Sequence, residues 1–126
     1  MTPGQYILVV DDDDDFRETV AEVLAQAGYP VQKAENGEVA LQRVKEELPG
    51  IVLLDLKMPV LDGWGVMERM RADPRGAAVP ILILSAYGFE WESELLGAQG
   101  YIPKSVGMDE IVERVRKAAG DPPMKH

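Results

Sequence analysis

The chain has 126 residues, 46% of them hydrophobic, with 22 acidic against 13 basic side chains and a formal charge of −9. This is the length of one domain with enough apolar residues for a core, and the acidic balance argues against direct binding to DNA or an anionic membrane, since both need a basic face. Cysteine is absent and the one histidine is His126, so disulfides, thiolate metal sites and histidine-based metal or acid–base chemistry are excluded.

No apolar run approaches the roughly 20 residues of a membrane span, and Met1-Thr2-Pro3-Gly4 does not begin a signal peptide. The expectation is a soluble, cytoplasmic protein with one domain over 1–126, a core over 6–119 and short extensions at either end. No internal repeat or low-complexity tail suggests a second functional region.

Tyr6–Val10 is an unbroken apolar strand that runs into Asp11-Asp12-Asp13-Asp14-Asp15. Asp14 and Asp15 suit a helix start, with Asp15 as the N-cap, because acids there complement the helix dipole. Asp11 and Asp12 lie at the strand end, where packed carboxylates repel unless a cation is present. Oxygen-only donors suit a hard ion, Mg²⁺ before Ca²⁺. A helix follows over Phe16–Ala27, with Phe16, Val20, Val23, Leu24 and Ala27 on its apolar face and Gly28 just past its end. Val31–Glu35 reads as an edge-side strand. Asn36-Gly37 caps a helix over Glu38–Leu48, which Pro49-Gly50 stops.

Ile51-Val52-Leu53-Leu54 has no polar alternation and reads as a strand covered on both faces. It ends in Asp55. Desolvating an unpartnered carboxylate costs several kcal/mol or more, so Asp55 belongs where the strand emerges, at its C-terminal end. In open α/β sheets that edge is where ligands bind. Met58-Pro59 and Asp62-Gly63 turn the chain into a helix from Gly63 to Arg71 or Ala72, with Val66, Met67 and Met70 inward and Trp64 as packing. Asp73-Pro74-Arg75-Gly76 is a loop. Pro80–Leu84 is another apolar strand, ending in Ser85-Ala86. Glu90–Leu96 holds at most a short fourth helix, about two turns. Tyr101-Ile102-Pro103 is a brief strand ending at Lys104, and Met108–Ala119 is an amphipathic helix with Gly107 as N-cap and Ile111, Val112, Val115 and Ala119 inward.

Five strand–helix units imply a parallel sheet with helices on both faces. All strand C-termini then share one edge, which gathers Asp11, Asp12, Asp55, Ser85 and Lys104. Carboxylates around a divalent cation leave room for phosphoryl oxygens. A lysine and a hydroxyl stabilise the remaining phosphoryl charge. A carboxylate facing that group is a nucleophile candidate, giving an acyl phosphate.

With those residues in place the sequence resembles the receiver domain of two-component response regulators. The resemblance covers Tyr6 to about Ala119. It rests on Ile7-Leu8-Val9-Val10-Asp11-Asp12, Asp55-Leu56-Lys57-Met58-Pro59 with Asp62-Gly63, Ser85-Ala86, and Gly100-Tyr101-Ile102-Pro103-Lys104. It implies a flavodoxin-like doubly wound sheet with strand order 2-1-3-4-5 and a shortened or irregular fourth helix. It implies Asp55 as phosphoacceptor, Asp12 as a direct Mg²⁺ ligand, Asp11 acting through a water on the ion and the Lys57 carbonyl as a further ligand. Ser85 and Lys104, with backbone N–H groups near Leu56 and Ala86, would hold the phosphoryl oxygens.

The implied donor is a phosphohistidine on a sensor histidine kinase or phosphotransfer protein, with small acyl phosphates as substitutes. The implied output is a switch in which Ser85 moves toward the phosphoryl group and Tyr101 turns inward. It would change the face formed by the fourth helix, last strand and last helix, which meets a downstream partner or output domain. A phosphorylation-linked homodimer is compatible with this. Beyond its own phosphotransfer and slow autodephosphorylation, the chain is not expected to be an enzyme.

The departures carry expectations too. The stretch between Ser85 and Lys104 is about one helical turn shorter than the family norm. Ser105 follows Lys104 where proline is common, so a cis peptide is not expected there. Bulky Lys57 and Tyr87 beside the site predict a shielded, slowly hydrolysed acyl phosphate. Two other readings stay open. One is a haloacid dehalogenase-type phosphohydrolase with Asp11 as nucleophile and Asp13 as second acid. The other is a receiver-like interaction module that takes no phosphate.

Overall fold

Runs of Val, Ile and Leu without polar alternation need cover on both faces, and they find it at the centre of a parallel sheet. A computed structural model describes residues 1–58, 60–86 and 97–123. Its strands are β1 (Ile7–Val10), β2 (Val31–Ala34), β3 (Ile51–Asp55), β4 (Ile81–Ser85) and β5 (Gly100–Pro103), in the order β2-β1-β3-β4-β5. Every pairing is parallel. β1 and the strands β3 and β4, apolar up to their last residues Asp55 and Ser85, take the three inner places, and the mixed strand β2 lies at an edge.

Strand alternation divides the core in two. Leu8, Val10, Val52, Leu54, Ile81 and Ile83 face α2 (Gly37–Glu46) and α3 (Gly63–Ala72), where Ala40, Val44, Val66, Met67 and Met70 cover them. Ile7, Val9, Ile51, Leu53, Leu82, Leu84 and Ile102 face α1 (Asp14–Gln26) and the C-terminal helix (Met108–Ala119). Val20, Leu24, Ile111 and Val115 cover that side. Trp64 packs on the first cluster, as read from the sequence.

The starts of α1, α2 and α3 are set by side-chain caps, each worth about 1 kcal/mol. Asn36 accepts from Val39 N at 2.9 Å and Asp62 from Gly65 N at 2.9 Å. For α1 the sequence reading needs correction. The N-cap is Asp13, whose carboxylate accepts from Phe16 N at 3.1 Å, while Asp14 and Asp15 fill the first turn. Asp11 Oδ1 decides this, because it accepts from Asp13 N at 3.0 Å and fixes the backbone one turn before Phe16. The helix ends at Gln26, and Gly28 just beyond it takes the left-handed conformation at φ 106°. A 3₁₀ turn over Gly76–Ala78 stands where a plain loop was expected. Nearby, the Arg71 guanidinium donates to the carbonyls of Ala77, Val79 and Gly97. The Lys104–Ser105 peptide is trans. The expected short helix over Glu90–Leu96 lies outside the described residues.

Gly63 brings α3 against the end of β3. A Cβ there would stand 2.5 Å from the Asp55 carbonyl oxygen and 2.7 Å from Leu56 Cα, both backbone atoms that cannot swing aside. Gly63→Ala should therefore lower stability by about 2 kcal/mol or more. Gly107→Ser, where a Cβ meets nothing within 4 Å, should be neutral or slightly stabilising because it adds the cap hydroxyl that this helix lacks. Urea denaturation of both variants checks this, and equal effects would contradict the close approach.

Candidate functional site

The register of the sheet builds the site. Val10 pairs with Leu54 at the top of the β1–β3 ladder, so the next residues, Asp11 and Asp55, emerge side by side. By alternation both follow Val9 and Leu53 to the α1 side of the sheet. Ile102 lies on the same side, and Lys104, two residues on, brings its ammonium to 2.7 Å from Asp11 Oδ2 and 3.4 Å from Asp55 Oδ2. Asp12, one residue beyond Asp11, is exposed to solvent. One carboxylate oxygen from each of Asp11, Asp12 and Asp55 lies within 4.8 Å of the others.

Burial makes this cluster costly. Asp11 is fully buried and Asp55 nearly so. At an effective dielectric of about 20, two unit charges about 4.8 Å apart repel by about 3 kcal/mol. Lys104 answers part of that. Burial first, and then the neighbouring Asp11, push the Asp55 carboxyl up to about 6, against the opposing pull of Lys104 and of the Lys57 N–H. Burial acts to lower the Lys104 ammonium, but Asp11 and Asp55 outweigh it and hold it above the ordinary lysine value. Asp11 Oδ2 contacts the Lys104 ammonium yet receives no well-directed hydrogen bond. A buried carboxylate oxygen so placed has capacity left for a further cation. With oxygen-only donors converging from three residues, the cluster suits a hard divalent ion such as Mg²⁺.

The other expected residues surround it. Lys57 is exposed, and its N–H donates to Asp55 Oδ1 at 3.2 Å. Ser85 is buried as the last residue of β4, and its carbonyl accepts from Lys104 N at 2.9 Å. Half-buried Tyr101 pairs in register with Ile83 and packs on the α2–α3 side. By alternation Ser85 faces that side too, two residues along. The charged groups thus occupy one face of the sheet edge, and Ser85 and Tyr101 the other. Tyr87 lies outside the described residues. Asp13 caps α1 through Oδ1 and is not one of the carboxylates that converge with Asp11.

Two residues near the cluster escaped the sequence reading. Arg17, largely buried, donates to the Asp11 carbonyl at 2.9 Å and to Asp14 at 2.7 Å, so it ties the acidic loop to α1. Phe16, read only as an apolar-face residue, places its ring centroid 4.9 Å from Lys104 Nζ.

Comparison with known proteins agrees with this geometry. The family model for the response regulator receiver domain matches residues 7–116. The chain is 38% identical over 117 residues to sporulation initiation phosphotransferase F of Bacillus subtilis, covering 90% of this chain and 93% of that one. It is 37% identical over 113 residues to a probable transcriptional regulator, ycf27, of Guillardia theta, covering 87% of this chain but 43% of the regulator. It thus spans about half the length of several curated relatives. Among solved structures, the response regulator TrrA of Thermotoga maritima, in complex with Mg²⁺–BeF, superposes with a TM-score of 0.79 at 36% identity, covering 90% of this chain and 97% of that one.

The Asp55 carboxyl, ordinarily near 3.8, keeps its proton to about pH 6 in the fold. Between those values the folded state binds the extra proton, so the contribution of this group to stability falls as pH rises through the window. Asp55→Asn removes the cost. It should raise metal-free stability by about 1–2 kcal/mol at pH 7 and by nearly nothing at about pH 4. Urea denaturation at the two pH values checks this, and a loss at pH 7 would contradict it.

Proposed function

The chain belongs to the response regulator receiver family, and from that premise we propose that it takes a phosphoryl group onto Asp55 from a phosphohistidine donor and signals through the state so formed. The observation that carries this is the meeting of Asp55 with Asp11, Asp12 and Lys104 at one sheet edge. Asp55 Oδ2 attacks phosphorus, the bond from phosphorus to the donor imidazole nitrogen breaks, and the imidazole leaves with the electron pair. A raised carboxyl that is nonetheless largely ionised at pH 7 retains its nucleophilicity.

Asp12 and Asp55 would hold Mg²⁺ directly, with Asp11 behind them and the Lys57 carbonyl alongside. The Asp11 Oδ2, which contacts the Lys104 ammonium without a well-directed hydrogen bond, and the three-carboxylate set support this. When bound, the ion supplies positive charge against the acceptor carboxylate and the incoming phosphoryl oxygens. Lys104 already sits beside both aspartates, so it needs only a short shift to meet a phosphoryl oxygen. Ser85 offers its hydroxyl from the adjacent strand end. TrrA binds Mg²⁺–BeF, and a beryllofluoride group has the shape and charge of a phosphoryl group; this supports the same use of the pocket here.

Transmission follows from the sheet. Ser85 and Tyr101 share the α2–α3 side, so a Ser85 hydroxyl drawn toward a phosphoryl group leaves space that Tyr101 can occupy. The altered surface includes β5 and the C-terminal helix and would meet a downstream protein or output domain. A sensor histidine kinase or phosphotransfer protein is the class of donor. The relative of nearly equal length is named a phosphotransferase, which supports a relay role, and the longer regulators support an output role. Among the described residues no helix is long and apolar enough to cross a membrane, in keeping with a cytoplasmic place of action.

Incubation with Mg²⁺ and acetyl phosphate, read by intact mass, should add one phosphoryl group to the wild-type chain. Asp55→Asn or chelation of the metal should abolish it, and Lys104→Ala should slow it by about 10²-fold. A wild-type chain that never gains the adduct points to the interaction module. An adduct that survives Asp55→Asn and is lost in Asp11→Asn points to the phosphohydrolase.

A further inference from the structure

Among the described residues, the Lys104 ammonium meets two anions, Asp11 and Asp55, and one aromatic ring. That ring is Phe16, at 4.9 Å from the nitrogen to the centroid. Phe16 is the one aromatic side chain in the first turn of α1, and it directly follows five aspartates. It is also held in place by the site itself. Asp11 Oδ1 accepts from Asp13 N, and Asp13 Oδ1 accepts from Phe16 N. The Phe16 ring faces the Lys104 ammonium, and that ammonium returns to Asp11 Oδ2. The four residues close a ring of contacts around one carboxylate.

The carboxylates are contested partners. Any divalent cation entering the cluster draws on Asp11 and Asp55, the two groups that now fix Lys104. The face of an aromatic ring attracts ammonium through its quadrupole and does not ligate a hard ion. We propose that Phe16 is a positioning residue whose ring keeps the Lys104 ammonium over the acceptor carboxylate when the metal has claimed its anionic partners. The proposal rests on the phosphoacceptor reading given above, and it deepens that reading by assigning a residue that touches neither metal nor phosphoryl group.

The test pairs kinetics with a spectroscopic signature. Phe16→Leu keeps an apolar side chain of similar reach and removes the ring; Phe16→Tyr restores it. With acetyl phosphate at saturating Mg²⁺, Phe16→Leu should be phosphorylated about three- to fivefold more slowly. Its Mg²⁺ affinity, by calorimetry, should stay within about twofold, because no ligand is lost. Phe16→Tyr should recover the wild-type rate. Independently, proton NMR of the Mg²⁺-loaded, unphosphorylated wild-type chain should show the Lys104 Cε protons displaced upfield by the ring, and Phe16→Leu should return them to ordinary positions. Wild-type Lys104 protons without the ring shift overturn the proposal, as does a Phe16→Leu variant that reacts as fast as wild type. So does a rate loss that Phe16→Tyr fails to restore. If the wild-type chain takes no phosphoryl group at all, the phosphoacceptor reading fails instead, and the ring shift alone still judges where Phe16 holds Lys104.

Discussion

Two carboxylates are forced together where water is scarce, and the rest of the site answers that constraint. The ladder that pairs Val10 with Leu54 leaves Asp11 and Asp55 no choice but to emerge as neighbours. Neither is free to swing far into solvent, because both are buried. Left alone, the pair would repel and one acid would stay protonated. Lys104 relieves part of the conflict, while burial first and Asp11 second still hold the Asp55 carboxyl above its ordinary value. A further cation is the physical completion of such a site, and a phosphoryl group is the anion that such a completed site would accept.

The scaffold around the pair is specialised by face. The α1 side carries the charges and their supports: the Asp13 cap, Arg17 on the Asp11 carbonyl, and Phe16 beneath Lys104. The α2–α3 side carries Ser85 and Tyr101 among apolar neighbours. Gly63 lets α3 approach the carbonyl of Asp55 itself, so the helix and Asp55 are fixed relative to each other. The two faces are linked through the short ends of β4 and β5, where the Lys104 N–H donates to the Ser85 carbonyl.

Much of this was legible in the chain because β1, β3 and β4 carry uninterrupted apolar runs and four of the five strands end at or beside a candidate site residue. The strand order was expected only through the family resemblance, whereas the end of β3 at Asp55 and the bounds of the C-terminal helix follow from pattern and punctuation alone. The start of α1 did not, since five consecutive aspartates are equivalent to any propensity rule and only the Asp11 side chain selects Asp13. The 3₁₀ turn at Gly76–Ala78 has no periodic signal. Val60 holds φ 71°, a conformation that a β-branched residue rarely adopts, and no sequence rule would assign it there. The contact between Phe16 and Lys104 joins the first helix to the last strand's end, so it exists only once the sheet has formed.

The most direct measurement is a crystal structure of the chain grown with Mg²⁺ and beryllofluoride. The expected result is one six-coordinate ion bound by Asp12 and Asp55, beryllofluoride on Asp55, and the Lys104 ammonium within hydrogen-bond distance of a fluorine. An ion bound elsewhere, or beryllofluoride absent from Asp55 at saturating concentration, would contradict a single phosphoryl pocket at this sheet edge.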